Sequence, residues 1–317
     1  AAFKKWIQNG VLEPEIKAEM STNVPSEGGY TVPTYVADRW VDALKAYGGV
    51  REVSTILSTE YGNTIDYPTS DGTAEEGEIL AQNAQANVSD PSFGVVSLDT
   101  YKYSSNSVAV PIELLQDAAF SMEAFVDGRL ITRLGRITNK HFTVGTGDKQ
   151  PQGIVTGAKA GKTASGAELT YDDLIDLQHS VDYAYRESSS CAFMMHDQTM
   201  AAVRKIKDQY GRPIFVPGYM FEGENAMASR LLGARVVVNN NMTPIGPSIK
   251  SILYGDFSRY IIRDVRNMTM LRMTDSFYAT RGQVGFLILS RHGGALVDAG
   301  GPVKYLEMGA STVKKSA

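Results

Sequence analysis

The sequence predicts an α+β protein of two domains, with a long hairpin projecting from one of them. Three observations lead there. Residues 112–144 carry apolar side chains at helical spacing, whereas the chain from Ser251 onward reads mostly as strands. A length of 317 residues is long for one average domain and about right for two. Between Glu52 and Tyr101 there is not one Lys or Arg, and so long a polar stretch fits poorly inside a compact body.

Composition narrows the function. Hydrophobic residues make up 43% of the chain, enough for a sizeable core. The formal net charge is −4, and a general nucleic-acid binder would carry a basic excess instead. A container for DNA is compatible with that charge, because a wall that gripped its contents would hinder filling and release. Cys191 is the one cysteine, so no internal disulfide forms and folding in the cytoplasm is expected. It lies in the apolar run Cys191 to Met195, which predicts a buried, inert thiol. No run approaches the roughly 18–20 apolar residues of a membrane helix, and no secretory signal opens the chain.

Residues 2–9 form a short helical candidate within an otherwise polar arm that reaches Gly29. Pro33 suits a helix start, and Val36, Trp40, Val41 and Leu44 follow at helical spacing until Gly48-Gly49. The window Glu52–Tyr101 holds nine acids and so carries −9, leaving +5 for the remainder. Two β-like arms, Thr64–Tyr67 and Val95–Tyr103, flank a Gly-, Ala- and Asn-rich tip. Ile112, Leu114 and Leu115 make a short helix. Ser121 opens a longer one, with Met122, Phe125, Val126, Leu130, Leu134, Ile137 and His141 assigned to one face. Arg129, Arg133, Arg136 and Lys140 line its other side.

A second domain is expected from about Pro151. Thr170 with Asp173 forms a capping box, followed by Leu174, Leu177, Val181 and Ala184 on one helix face. A buried strand covers Ala192–Met195, and Asp197 caps a helix through Met200, Val203 and Ile206. Tyr210 to Pro213 makes a turn. Further strands are expected at Arg235–Val238, Ile252–Tyr254, Tyr260–Arg263, Thr269–Met273, Val284–Ser290 and Val303–Met308.

No catalytic pattern emerges. Gly145-Thr146-Gly147-Asp148 follows a helix instead of a strand and lacks the Lys-Ser/Thr pair of a phosphate loop, so it reads as a helix stop. His141, His179, His196 and His292 stand singly, without the spacing of metal ligands. Glu75-Glu76-Gly77-Glu78 lacks the alternation of a calcium loop and reads as an acidic tip. Neither a cofactor nor a metal site is expected.

The order of parts resembles the major capsid proteins of tailed bacteriophages, the Hong Kong 97 fold family. The resemblance rests on Glu27 to Pro33 before a helix, the lysine-free hairpin, and Val110-Pro111-Ile112-Glu113-Leu114-Leu115-Gln116-Asp117 leading into the long helix. Gly145-Thr146-Gly147 with Pro151-Gln152-Gly153-Ile154 continues it, as do Asp208 to Pro213 and Leu232 to Val238. It implies an α+β fold with an N-terminal arm at 1–31 and an extended hairpin, the E-loop, at 58–104. A peripheral domain would take 32–57, 105–150 with the long spine helix, and the sheet strands of 256–291. An axial α/β domain would take 151–255, with its strand and tail in 292–317.

The resemblance further implies a structural protein, not an enzyme, which self-assembles as hexamers and pentamers into an icosahedral virion shell. That shell would enclose double-stranded DNA without sequence-specific contacts and be assembled in the bacterial host cytoplasm. A portal, a scaffolding segment or protease, and a decoration protein are the implied partners; a membrane is not. A start at Ala1 just before the arm fits removal of a scaffolding segment. The founding member cross-links a hairpin lysine to a neighbour's asparagine with help from a glutamate. Here no lysine stands between Lys45 and Lys102, and Gln283–Ser290 contains neither Asn nor Glu, so noncovalent stabilisation is expected.

From the charges we expect the hairpin's acids Glu75, Glu76 and Glu78 to lie near Arg129, Arg133, Arg136 and Lys140 of a neighbour. Ile65, Tyr67, Phe93 and Tyr101 are the expected apolar anchors. The competing readings are an encapsulin-like compartment, a two-domain hydrolase, and a surface-layer or tail protein. Protein cargo in place of DNA would mark the first, a small oligomer the second, and sheets or tubes the third.

Overall fold

The computed structural model describes residues 29–31, 40, 44, 49–70, 93–117, 122–166, 168–207 and 230–309. Strand β1 (Gly29–Thr31) is followed by helix α1 (Gly49–Val53) and strand β2 (Thr55–Thr59). A hairpin of β3 (Ile65–Ser70) and β4 (Phe93–Leu98) comes next, then β5 (Tyr101–Ser104) and β6 (Val108–Pro111). Helices α2 (Ile112–Asp117) and α3 (Met122–Val144) complete this part. The second part holds α4 (Ile154–Gly157), β7 (Lys159–Thr163), α5 (Tyr171–Ser180), α6 (Tyr183–Arg186) and β8 (Cys191–Met195). After α7 (Asp197–Arg204) come β9 (Arg230–Leu231), β10 (Ala234–Val238) and β11 (Lys250–Asp256). The chain then forms β12 (Tyr260–Met273), α8 (Ser276–Ala279), β13 (Gln283–Leu296) and β14 (Val303–Glu307).

Two six-stranded sheets carry the molecule. The first is built on the antiparallel pair β12 and β13. On the outer side of β12, β1 pairs antiparallel with Thr269–Leu271 and β2 pairs parallel with Ile261–Val265. On the outer side of β13, β5 and β6 pair with successive halves of the strand. Val284, Phe286 and Ile288 alternate inward from β13, as a strand with one covered face requires. Their cover is α3, whose Val126, Leu130, Ile131 and Leu134 pack over this face together with Trp40, Leu44 and Met270. At 23 residues, α3 spans about 35 Å. The second sheet has the order β7-β14-β11-β8-β10-β9, with α5 and α7 supplying Leu174, Leu177, Met200 and Val203 to its core. A third cluster joins the two sheets, where Phe142 at the end of α3 meets Val50, Ile154, Met194, Leu253 and Tyr260.

Several expectations need correction. Gly49 opens α1, and a Cβ there would press on the Val238 carbonyl at 2.9 Å; the helix stop expected just before it lies outside the described residues. The two strands expected at Tyr260–Arg263 and Thr269–Met273 are one strand with an irregularity between Val265 and Thr269. The strand expected at Val284–Ser290 runs on to Leu296. The second hairpin arm breaks at Asp99-Thr100, so Tyr101–Tyr103 belong to the first sheet through β5. Phe125 is 42% exposed, because it shares the row of Arg129, whose guanidinium covers its ring at 5.4 Å. Helix α5 stops at Ser180, leaving Val181 as its C-cap and Ala184 exposed on α6. The cap of α7 is His196, whose ring nitrogen accepts from the Gln198 amide, and that helix ends before Ile206.

The Thr170–Asp173 capping box is present with both of its reciprocal bonds. The stop after α3 has a backbone reason. Gly147 has φ +86°, and a Cβ at Gly145 would collide with the carbonyls of His141 and Pro151. The candidates at residues 2–9 and Tyr210–Pro213 lie outside the described residues.

Candidate intersubunit surface

The hairpin is a sheet of its own: β3 and β4 pair from Ile65↔Leu98 to Ser70↔Phe93, apart from both larger sheets. Alternation sorts its faces. Ile65 and Tyr67 are half-buried on one side, above Leu98 and Val96, while Asp66 and Pro68 are exposed on the other. Asp66 accepts from Ser97 Oγ at 2.6 Å across the strands. Val95 is 67% exposed and Tyr61, at the hairpin's foot, 72%. These apolar side chains gain nothing from water and offer area to a partner. Phe93 lies in β4 with its side chain outside the described residues, as do Glu75, Glu76 and Glu78 altogether. Tyr101 stands on β5 and packs, half-buried, against the first core.

The basic residues of α3 stay at the surface. Arg129, Arg133, Arg136 and Lys140 are all exposed, along one side of α3 next to the row of Val126, Leu130 and Leu134. Arg133 donates to the Ser107 carbonyl at 3.1 Å, which ties it partly to its own chain. The structure thus groups the four basic residues on one helix face and separates Tyr101 from the hairpin strands.

Two charged constellations at the hairpin's foot were not anticipated. Arg51 on α1 and Asp264 on β12 form a two-bonded ion pair at 2.7 and 2.8 Å, with both side chains about 1% exposed. His292, the cross-strand partner of Asp264, approaches the same carboxylate with Nδ1 at 2.7 Å and Ser290 Oγ with Nε2 at 2.9 Å. The adjacent Arg51 and His292 hold the Asp264 carboxyl well below the usual carboxylate range, against the burial that opposes ionisation. Beside it, Arg263 is 2% exposed and its four named acceptors are uncharged. Nε donates to Thr59 Oγ at 3.2 Å, Nη1 to the Leu98 carbonyl at 3.0 Å and to that of Asn63, and Nη2 to the Tyr61 carbonyl at 2.8 Å. A signal existed: Arg263-Asp264 interrupts the apolar run from Tyr260 to Val265. A charged pair inside a buried strand demands partners.

The remaining candidate chemistry is local. Half-buried His141 lies 3.0 Å from the Tyr103 hydroxyl, and burial lowers its pKa. Cys191, expected to be buried, is only half-buried at the start of β8; it donates to the Tyr185 carbonyl at 3.1 Å, and the partial burial pushes its thiol up to about 11. Among the described residues no three His, Cys, Asp or Glu side chains come together as a metal site, and no helix is long and apolar enough to cross a membrane.

Two sheets bridged by a long helix, with a separate hairpin standing off the first, define a capsid fold of the Hong Kong 97 type. Solved capsids share it. The capsid of a native GTA particle, computed with C5 symmetry, matches with a TM-score of 0.70 at 22% identity, over 83% of this chain and 91% of that one. A structure from Mycobacterium phage Bobi matches at 0.60 and 18% identity, over 83% and 91%. The model of the Phage capsid family covers residues 28–308, and the chain belongs to that family. The major capsid protein of Halomonas phage phiHAP-1 is 25% identical over 181 residues, 56% of this chain. The chain spans 29% of that relative's length. The family is one of structural shell proteins, not of enzymes, and its place is the virion.

Proposed function

We propose that the chain assembles as hexamers and pentamers into an icosahedral shell around double-stranded DNA, held by noncovalent contacts. In this reading residues 1–31 are an arm, 58–104 the intersubunit hairpin with its foot, and 151–255 the axial domain. The hairpin of one copy lies over a neighbour beside the basic row of α3, with Ile65, Tyr67 and Phe93 as apolar anchors. One observation carries the reading: β3 and β4 pair with each other and with no other described strand. Open strand edges on an exposed two-stranded ribbon are marginal alone and are stabilised by a partner. The −9 of residues 52–101 against the exposed row of α3 supports the choice of partner face. The absence of lysine from 46–101 supports noncovalent holding. The net −4 fits DNA enclosed without being gripped or read. In this reading a portal, a scaffolding segment or protease, and a decoration protein complete assembly in the host cytoplasm.

Reversing Arg129, Arg133 and Arg136 together to Glu tests it. Electron microscopy and size-exclusion chromatography of wild type should show shells or rings, and of the variant, dispersed folded subunits. Because Arg133 also bonds the Ser107 carbonyl, a second variant reversing only Arg129 and Arg136 should show the same defect. Normal shells from both would remove the row from the interface.

A further inference from the structure

We propose that Arg263 and Gly293 form a seat that sets the direction in which the hairpin leaves the body, and so selects the stretch of neighbour it reaches. The consequence for assembly rests on the capsid reading above; the seat itself does not.

The two residues face each other across β12 and β13 in register. Cross-strand partners project to the same face of a sheet, so the missing side chain of Gly293 leaves a gap on the face from which Arg263 projects. The returning hairpin strand fills this gap: a Cβ at Gly293 would collide with the Asp99 carbonyl oxygen. Arg263 then grips both sides of the hairpin's foot, Tyr61 and Asn63 on the way out and Leu98 on the way back, with Thr59 at the end of β2. One planar guanidinium thus holds three backbone carbonyls in a fixed arrangement, that of Leu98 buried and those of Tyr61 and Asn63 partly so. Two shorter links close the foot across the strands. Thr64 Oγ donates to the Asp99 carboxylate at 2.6 Å and Thr100 Oγ to the Gly62 carbonyl at 2.9 Å. Beyond Leu98 the hairpin makes no strand pairing with the rest of the described chain. Its aim is therefore decided at its foot. Arg263 acts as a positioning residue, through the hairpin it holds.

Arg263→Lys keeps the charge but loses the fork, and Gly293→Ala fills the gap without touching the guanidinium. Hydrogen exchange on the unassembled full-length chain, read at 61–70 and 93–100 against β8 and β11, gives the seat its own test. Both variants should exchange about tenfold or more faster at the hairpin's foot and at wild-type rate in β8 and β11. Wild-type exchange at the foot in either variant, or an equal rise throughout, overturns the seat. Micrographs then test the link to assembly: both variants should give irregular shells or none, and uniform shells from a variant with a loosened foot would show that the seat does not select the neighbour. Failure of the wild-type chain to form shells or rings would instead overturn the capsid reading, while the exchange result still decides the seat.

Discussion

Asp264 is the residue on which the interior of the first sheet most depends electrically. An ion pair buried this deeply is weak evidence of net stabilisation, since removing both charges from water costs nearly what their attraction returns. Breaking it is another matter. Asp264→Asn would leave Arg51 buried among Phe142 and apolar strands without its counter-charge, and should cost about 3–5 kcal/mol in thermal or denaturant unfolding. The pH dependence follows from the depressed carboxyl. Its contribution is fully present above the unfolded carboxylate value of about 3.9 and is lost as pH falls toward the lower folded value. Wild-type stability should therefore drop steeply below about pH 4, and the Asn variant more shallowly, when both are melted across that range. Of this cluster the sequence displayed only one half. Arg263-Asp264 is visibly out of place in an apolar strand, but Arg51 lies 213 residues away, and no local pattern connects them.

At the scale of elements, periodicity located α3 and α5 because each has one covered face, and an unbroken apolar run located β8 because both of its faces are covered. It misplaced Phe125 for a reason visible only in packing: 125 and 129 share a helix row, and the arginine's cation holds the ring at the surface. It shortened β12 and β13 because charged and glycine residues, Arg263, Asp264, Gly293 and Gly294, break the apolar run while continuing the ladder. The capping box of α5 was legible, since its two partners stand three residues apart. Thr170→Ala should cost about 1 kcal/mol by removing the acceptor for the Asp173 amide. Circular-dichroism melts should register that loss with the assembled form unchanged, as α5 covers the second sheet and not the hairpin.

For the whole molecule, charge is unevenly divided, with −9 in residues 52–101 and +5 elsewhere. Exposed pairs contribute about 0–1 kcal/mol each, so apolar area must supply most of the holding energy. The charges still act on encounter and register over many copies. Raising ionic strength from about 0.1 M to about 1 M shortens the screening length from about 10 Å to about 3 Å. Assembly followed by light scattering should slow markedly over that range, while unfolding of the separate subunit should shift little. Salt-independent assembly would point to an interface made of apolar contact alone.

The α+β class, the lysine-free acidic stretch and the basic row of α3 were determined by the sequence by itself, because each is a local pattern of spacing or charge. The join between the two sheets around Phe142, the Arg51–Asp264–His292 cluster and the seat of Arg263 against Gly293 were decided only by the tertiary structure. Each of these brings together residues from distant stretches of chain, and the free energy of such contacts depends on burial and geometry that exist only once the sheets have closed.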